Sequence, residues 1–90
     1  MSKVRIPPVL RSGTGGQREI EADGATVGEV LQSVAVRFPA VGSQLFVDST
    51  LQRYVNVYLN DQDIQYLQSL DTPVDASDTI IILPAMAGGV

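Results

Sequence analysis

The segment from Thr26 to Pro39 constrains this chain more than any other. Thr26 followed by Glu29 is the signature of a capping box: the hydroxyl accepts from the Glu29 NH, and the carboxylate reaches back to the Thr26 NH. Val27, Val30, Leu31, Val34, Ala35 and Phe38 then recur at steps of three and four, making one apolar stripe. Pro39 closes the helix, because the residue before a proline disfavours helical geometry. A single amphipathic helix cannot bury its own stripe. The rest of the 90 residues must supply the surface it packs on.

That surface reads as a sheet. Lys3 to Leu10 begins by alternating, Val4 and Ile6 on one side, Lys3 and Arg5 on the other, until Pro7 and Pro8 stop it. Ser12 to Gln17 is a glycine-rich turn, and Arg18 to Ala22 alternates again with Ile20 and Ala22 inward, so the pair predicts a β-hairpin. After the helix, Val41, Leu45 and Phe46 suggest a short helical turn laid on the core. Tyr54 to Asn60 alternates without a fault, with Val55, Val57 and Leu59 inward and Tyr54, Asn56 and Tyr58 outward. Asn60 to Asp63 is turn chemistry, Ile64 to Leu70 has room for one short edge strand, and Asp71 to Asp78 is a polar loop. Thr79 to Leu83 is an unbroken apolar run ended by Pro84, as expected of a central strand covered on both faces. The expectation is an α+β fold: a mixed sheet with one helix packed across one face. The last strand lies in the middle, parallel to the first through a right-handed crossover.

Composition narrows the chemistry. The chain has no Cys and no His, which removes disulfides, thiolate sites and the commonest general base and metal ligand. Six Lys and Arg are scattered against ten Asp and Glu, so the clustered basic face of a nucleic-acid binder is missing. No apolar run approaches the ~18 residues of a membrane span, and Met1 to Arg5 is not followed by a signal-peptide core. A cytoplasmic single domain that is not a stand-alone enzyme is the expectation.

Several motifs suggest chemistry and fail its requirements. Gly13 to Gly16 lacks the Lys-Ser/Thr of a phosphate loop, has Arg18 where a dinucleotide fingerprint needs glycine, and joins two strands instead of opening a helix. Asp61 and Asp63 begin like a calcium loop, but Tyr66 and Thr72 stand where glycine and a bidentate Glu belong. Glu19 and Glu21 fit a solvated strand face, and Asp71, Asp75 and Asp78 a wet loop. The outward Tyr54 and Tyr58, with Met86 and the outer side of the last strand, could form an apolar docking face. Scattered exposed apolar residues would look the same.

The tail is more specific. Two glycines at 88 and 89 beside the chain end would coincide by chance at roughly half a per cent, with glycine at ~7% of residues. Lacking Cβ atoms, a Gly-Gly tail fits a narrow channel that any side chain would block, so another enzyme's active site can reach its carboxylate. The carboxylate is no electrophile until it is activated, for instance as an acyl-adenylate. A loose chain end is the other reading.

Leu83-Pro-Ala-Met-Ala-Gly-Gly89, following an apolar last strand, resembles the C-terminus of the ThiS/MoaD sulfur-carrier family. Ile6-Pro-Pro-Val-Leu-Arg11, Thr14-Gly-Gly-Gln17 and Val55-Asn-Val-Tyr-Leu-Asn-Asp61 are most similar to its CysO-type branch, the carriers for cysteine biosynthesis. The resemblance implies a ubiquitin-like β-grasp over residues 1–83 and a flexible tail over 84–90. Gly89 takes the role of the glycine that becomes a thiocarboxylate, while Pro84, Ala85, Met86, Ala87 and Gly88 are the recognised tail. The implied partners are an E1-like, MoeB-type enzyme that uses ATP and a PLP-dependent cysteine synthase. The carrier itself holds no cofactor. Val90 departs from the pattern, since active carriers end on the second glycine. Either a peptidase of the JAMM type trims it, or it lies beyond the natural end. A ubiquitin-like modifier, joined through Gly89 to target lysines, would need the same activation.

Overall fold

Every element is short, and the alternation of buried and exposed residues decides which way each one faces. The computed structural model describes residues 1–47, 50–52 and 55–84, with Pro84 described by its backbone alone. The strands are β1 (Ser2–Arg5), β2 (Glu19–Ala22), β5 (Val55–Leu59), β6 (Gln62–Asp63) and β7 (Thr79–Pro84), in the spatial order β2-β1-β7-β5-β6. A small ribbon pairs β3 (Phe46–Val47) with β4 (Thr50–Leu51). The helices α1 (Val27–Arg37) and α2 (Pro39–Leu45) connect the first hairpin to this ribbon.

The hairpin, the central place of β7 and its parallel pairing with β1 are as the pattern predicts. Val4 lies opposite Ile20 on one side and Ile80 on the other, and Val57 lies opposite Ile82. These inward residues, with Val27, Val30, Leu31 and Val34 of α1, form one core. Phe38 joins the two helices. Its NH closes α1 on the Val34 carbonyl (2.8 Å), and its own carbonyl accepts from Val41 and Gly42 (2.9 and 3.0 Å) to begin α2. Pro39 therefore ends one helix and opens the next, at a position where its missing NH costs nothing. Val41 and Leu45 are fully buried, so the predicted helical turn is a two-turn element on the core. It lies close to α1 because residue 42 is glycine: a Cβ there would fall 2.7 Å from that of Ala35.

Five local expectations are corrected. The capping box forms with a shift: Thr26 Oγ1 accepts from the Glu29 NH (3.2 Å), but the Glu29 carboxylate takes the NH of Ala25 (3.0 Å). The connection from β1 to β2 is a 3-10 helix over Pro8–Thr14, which buries Leu10 and Thr14; only Gly15 and Gly16, at φ 69° and 89°, make the turn. The predicted edge strand over 64–70 is absent. The edge strand is Gln62–Asp63, and the chain then coils into 3-10 turns at Ile64–Tyr66 and Ser69–Asp71. The Asp63 carboxylate causes the break by accepting from the Gln65 NH, which turns the backbone out of the ladder. The loop from Asp71 to Asp78 is not simply wet, because Thr72 is buried and its carbonyl accepts from Val27 while Val74 donates to Ala25. The fifth correction concerns β7. Its residues Ile80 and Ile82 are buried, but Leu83 is 46% exposed, so the strand is central and covered on one face only. Both helices pack on that same face.

A polar clasp ties the start of β7 to its neighbours. Asn60, in the left-handed region at φ 57°, donates from its side chain to Asp78 Oδ1 (3.2 Å) and accepts from the Thr79 NH (3.0 Å). Asp78 Oδ2 accepts from the Asp75 NH (2.8 Å), and the Lys3 NH donates to the Asp78 carbonyl (3.3 Å). The Asp75 backbone bond first, and the Asn60 amide second, hold the Asp78 carboxyl below its ordinary range. A depressed carboxylate contributes stability above its unfolded pKa and loses it as pH falls through the folded value. Asp78→Asn should therefore lower the urea midpoint at pH 7 and narrow the gap between the midpoints at pH 7 and at about pH 3. Leu31→Ala, in the core, should cost about 2–5 kcal/mol in the same assay. A loss below about half a kcal/mol would mean that the helix face is misassigned.

Candidate functional site

The site is built from the strand that carries the tail. β7 runs parallel to β1 and pairs with it from Thr79 to Ile81, then continues with β5 alone as far as Pro84 opposite Val55. The Asn60 NH donates to the Thr79 carbonyl (2.7 Å), so alternation makes Val55 and Pro84 a pair whose NH groups point away from each other. Proline's missing donor therefore removes no bond with β5, and the strand delivers the chain outward past the end of β1.

Of the expected docking face, Tyr58 and the outer side of β7 are described, and both lie on the face opposite the helices. Ile81 and Leu83 form an apolar stripe on β7, with Asn56 opposite Leu83 and Tyr58 opposite Ile81 on β5. Tyr58 is half-buried, and one row of the sheet reads Glu19, Arg5, Ile81, Tyr58, Asp63 from edge to edge. Lys3 and Arg5 are exposed beside the stripe. An apolar centre rimmed by charge is the usual anatomy of a protein-recognition patch. Inspection of the sequence scattered the cations and missed this grouping. The parallel register of β1 against β7 brings them to the stripe, and only the pairing of the two chain ends reveals it.

Other candidates take structural roles. A Cβ on Gly13 would fall 2.9 Å from Val41 Cγ2, so this glycine permits packing of the 3-10 helix on α2. The Thr14 hydroxyl lies 3.1 and 2.9 Å from the carbonyls of Arg11 and Gln17, bracing the loop from within. Asp63 caps the turn at Gln65, and Asp75 and Asp78 belong to the clasp at the start of β7. Among the described residues, no group of three or more His, Cys, Asp or Glu is placed to hold a metal ion. The expected site residues Tyr54, Ala85, Met86, Ala87, Gly88, Gly89 and Val90 lie outside the described residues, as does the side chain of Pro84.

A mixed sheet of this order, packed on one face by α1 and α2 and followed in the sequence by a Gly-Gly tail, has known counterparts. The ThiS family model matches residues 4–89. The chain belongs to the ThiS family. Its fold is the ubiquitin-like β-grasp. The sulfur carrier protein CysO of Mycobacterium tuberculosis is 38% identical over 89 residues, which cover 96% of each chain. A chain in the crystal structure of the Amycolatopsis orientalis BexX/CysO complex is 42% identical with a TM-score of 0.90, covering 99% of this chain and 100% of that one. The solution structure of small archaeal modifier protein 1 from Methanosarcina acetivorans is 30% identical with a TM-score of 0.89, covering 98% and 95%.

Because Leu83 is 46% exposed, Leu83→Ser should change the unfolding free energy by no more than about 0.5 kcal/mol. The same variant, and Tyr58→Ala, should weaken binding to a protein partner in a titration. Unchanged affinity for both would confine recognition to the tail.

Proposed function

We propose that this protein is a sulfur carrier, a cosubstrate and not a catalyst, whose Gly89 carboxylate is the reacting group. The observation that carries this reading is the ThiS-family match, which ends at residue 89 on the second glycine of the tail. An E1-like enzyme of the MoeB type supplies ATP. The Gly89 carboxylate attacks the α-phosphorus, pyrophosphate leaves, and an acyl-adenylate forms. A sulfide equivalent then adds to the activated carbonyl and AMP departs, leaving a thiocarboxylate. The glycines expose that carbonyl, since neither carries a Cβ to obstruct approach.

The similarity to CysO favours cysteine biosynthesis as the destination, with the thiocarboxylate sulfur delivered to an acceptor on a PLP-dependent synthase. The BexX/CysO complex supports a protein partner of the carrier. The open sheet face, with Ile81, Leu83 and Tyr58 beside Lys3 and Arg5, suits docking while the tail enters the active site. Among the described residues no helix is long and apolar enough to cross a membrane, and the cytoplasm is the proposed setting.

The similarity to small archaeal modifier proteins favours a second use of the same chemistry. A lysine amine attacking the adenylate, or a thioester derived from it, would join Gly89 to a target by an isopeptide bond. The products separate the two readings: a free thiocarboxylate, captured by alkylation and mass spectrometry, or a ladder of conjugates.

Val90 must be removed before either reaction, because while it is present the Gly89 carbonyl is an amide. Its β-branched side chain also thickens the chain where glycine keeps it thin. A JAMM-type peptidase is the proposed trimming enzyme. The 90-residue chain and a version ending at Gly89 should be incubated separately with ATP, the E1-like partner and a sulfide source. Only the shorter chain should gain a thiocarboxylate. Thiolation of the full chain with Val90 still attached would refute the terminal-glycine mechanism.

A further inference from the structure

The edge of the sheet farthest from β5 and β6 is unpaired among the described residues. β2 is the outermost strand on that side. The Ile6 NH donates to the Arg18 carbonyl (2.7 Å), and the register continues through Val4 opposite Ile20 and Ser2 opposite Ala22. In an antiparallel ladder, alternate residues bond inward. Arg18, Ile20 and Ala22 therefore face β1, while the NH and carbonyl groups of Glu19 and Glu21 face the free edge.

Beside that edge lies a groove of about 510 Å³ between β2 and α1, lined among others by Ile20, Ala22, Asp23, Ser33 and Arg37. Arg37 Nη1 donates to the Glu21 carbonyl, across from α1 to the edge strand. The guanidinium thus makes the bond that the NH of an incoming strand would make. The Arg37 side chain is exposed and has no carboxylate partner among the described residues, so moving it aside breaks one hydrogen bond and its contact with the Phe38 ring, 5.2 Å away.

Charge sets the kind of strand. The exposed Glu19 and Glu21 lie on the open face; at the groove's end Asp23 is paired with the Met1 ammonium (3.9 Å), and Arg37 is the other cation of the lining. The register of β1 gives a template for such a strand, with no ion pair joining β1 to β2 among the described residues. On the inner side of β2, Lys3 lies opposite Glu21 and Arg5 opposite Glu19, while Val4 and Ile6 turn to the core. We propose that the free edge of β2 binds an extended partner segment in which Lys or Arg alternates with β-branched apolar residues. Its backbone pairs with Glu19 and Glu21, its cations meet those carboxylates, and its apolar residues enter the groove against Ile20, Ala22 and Ser33. This is strand addition, with backbone bonds giving affinity and alternate side chains giving specificity.

The site goes beyond the sulfur-carrier reading and does not depend on it. β1 separates β2 from β7, so a partner held at this edge leaves the open stripe and the tail free. Such a grip would keep the carrier beside one enzyme while the tail visits an active site.

The probe is a synthetic peptide copying Ser2–Ile6, blocked at both ends, titrated into the ¹⁵N-labelled full chain. Saturable amide shifts should centre on Glu19, Glu21, Ser33 and Arg37, and weaken with added salt. Arg37→Ala, which frees the Glu21 carbonyl, should tighten binding about fivefold, the worth of one net backbone hydrogen bond. The exposed pair of changes Glu19→Lys and Glu21→Lys should weaken it about tenfold or more. A peptide with Glu in place of both cations should not bind. Amide dispersion matching the parent verifies that each variant is folded. Shifts centred on Ile81 and Leu83, equal binding of the charge-reversed peptide, or no binding by the parent chain would each overturn the proposal.

Discussion

The parallel pairing of β1 with β7 is the contact on which the rest of the molecule depends. It joins Lys3–Arg5 to Thr79–Ile81, nearly the whole chain length apart, and places Val4 against Ile80 at the centre of the core. A pairing so distant in sequence is costly to close, and it is held by interactions at its start. The clasp of Asn60, Asp75 and Asp78 supplies them: Asn60 holds the β5 end to Thr79, and Asp78 gives its carbonyl to Lys3. Ser2 Oγ also donates to the Asp75 carbonyl (3.0 Å), fixing where β1 begins. With β1 and β7 locked together, β7 leaves the middle of the sheet at Pro84.

The same pairing sets Lys3 and Arg5 beside the apolar stripe on one side of the sheet. α1 and α2 share a face because Phe38 joins them without a spacer, leaving the other face without helical cover among the described residues. The apolarity of β7 then has two causes. Ile80 and Ile82 serve the core, whereas Ile81 and Leu83 lie among solvent, Tyr58 and the cations of β1. A net charge of −4 suggests repulsion from acidic partners, yet the side chains nearest the stripe on β1 are positive. Local arrangement outweighs net charge at contact distances, because salt screens charges more than ~8–10 Å away.

Much of this was legible in the residues. The helix was bounded by Thr26 and Pro39, and the strands by alternation at Val4 to Ile6, Ile20 to Ala22 and Val55 to Leu59. Those signals are local and belong to single elements. The stretches that were misread are those where side chains bond backbone across turns. Asp63 ended a strand at Gln65, Thr72 closed on Ser69 and Gln68, and Glu29 chose Ala25 over Thr26. In such places several pairings are sterically open, and the neighbouring elements choose among them.

For the site, the Gly-Gly tail and the resemblance in the body of the domain already pointed to a carrier, since glycine's missing Cβ is a property of residues alone. An apolar run such as Thr79 to Leu83 says that a strand is central, but not which of its faces is covered. That depends on where α2 lands, and α2 lands on the α1 side because Gly42 lets it approach Ala35. The grouping of Lys3 and Arg5 with Ile81, and the outward turn of Glu19 and Glu21 along a free edge, follow from register. By itself the sequence determined the main elements and the Gly-Gly tail, because capping, periodicity and the lack of a side chain act locally. Only the tertiary structure decided which side chains meet on one face, because that requires residues from both ends of the chain to pair.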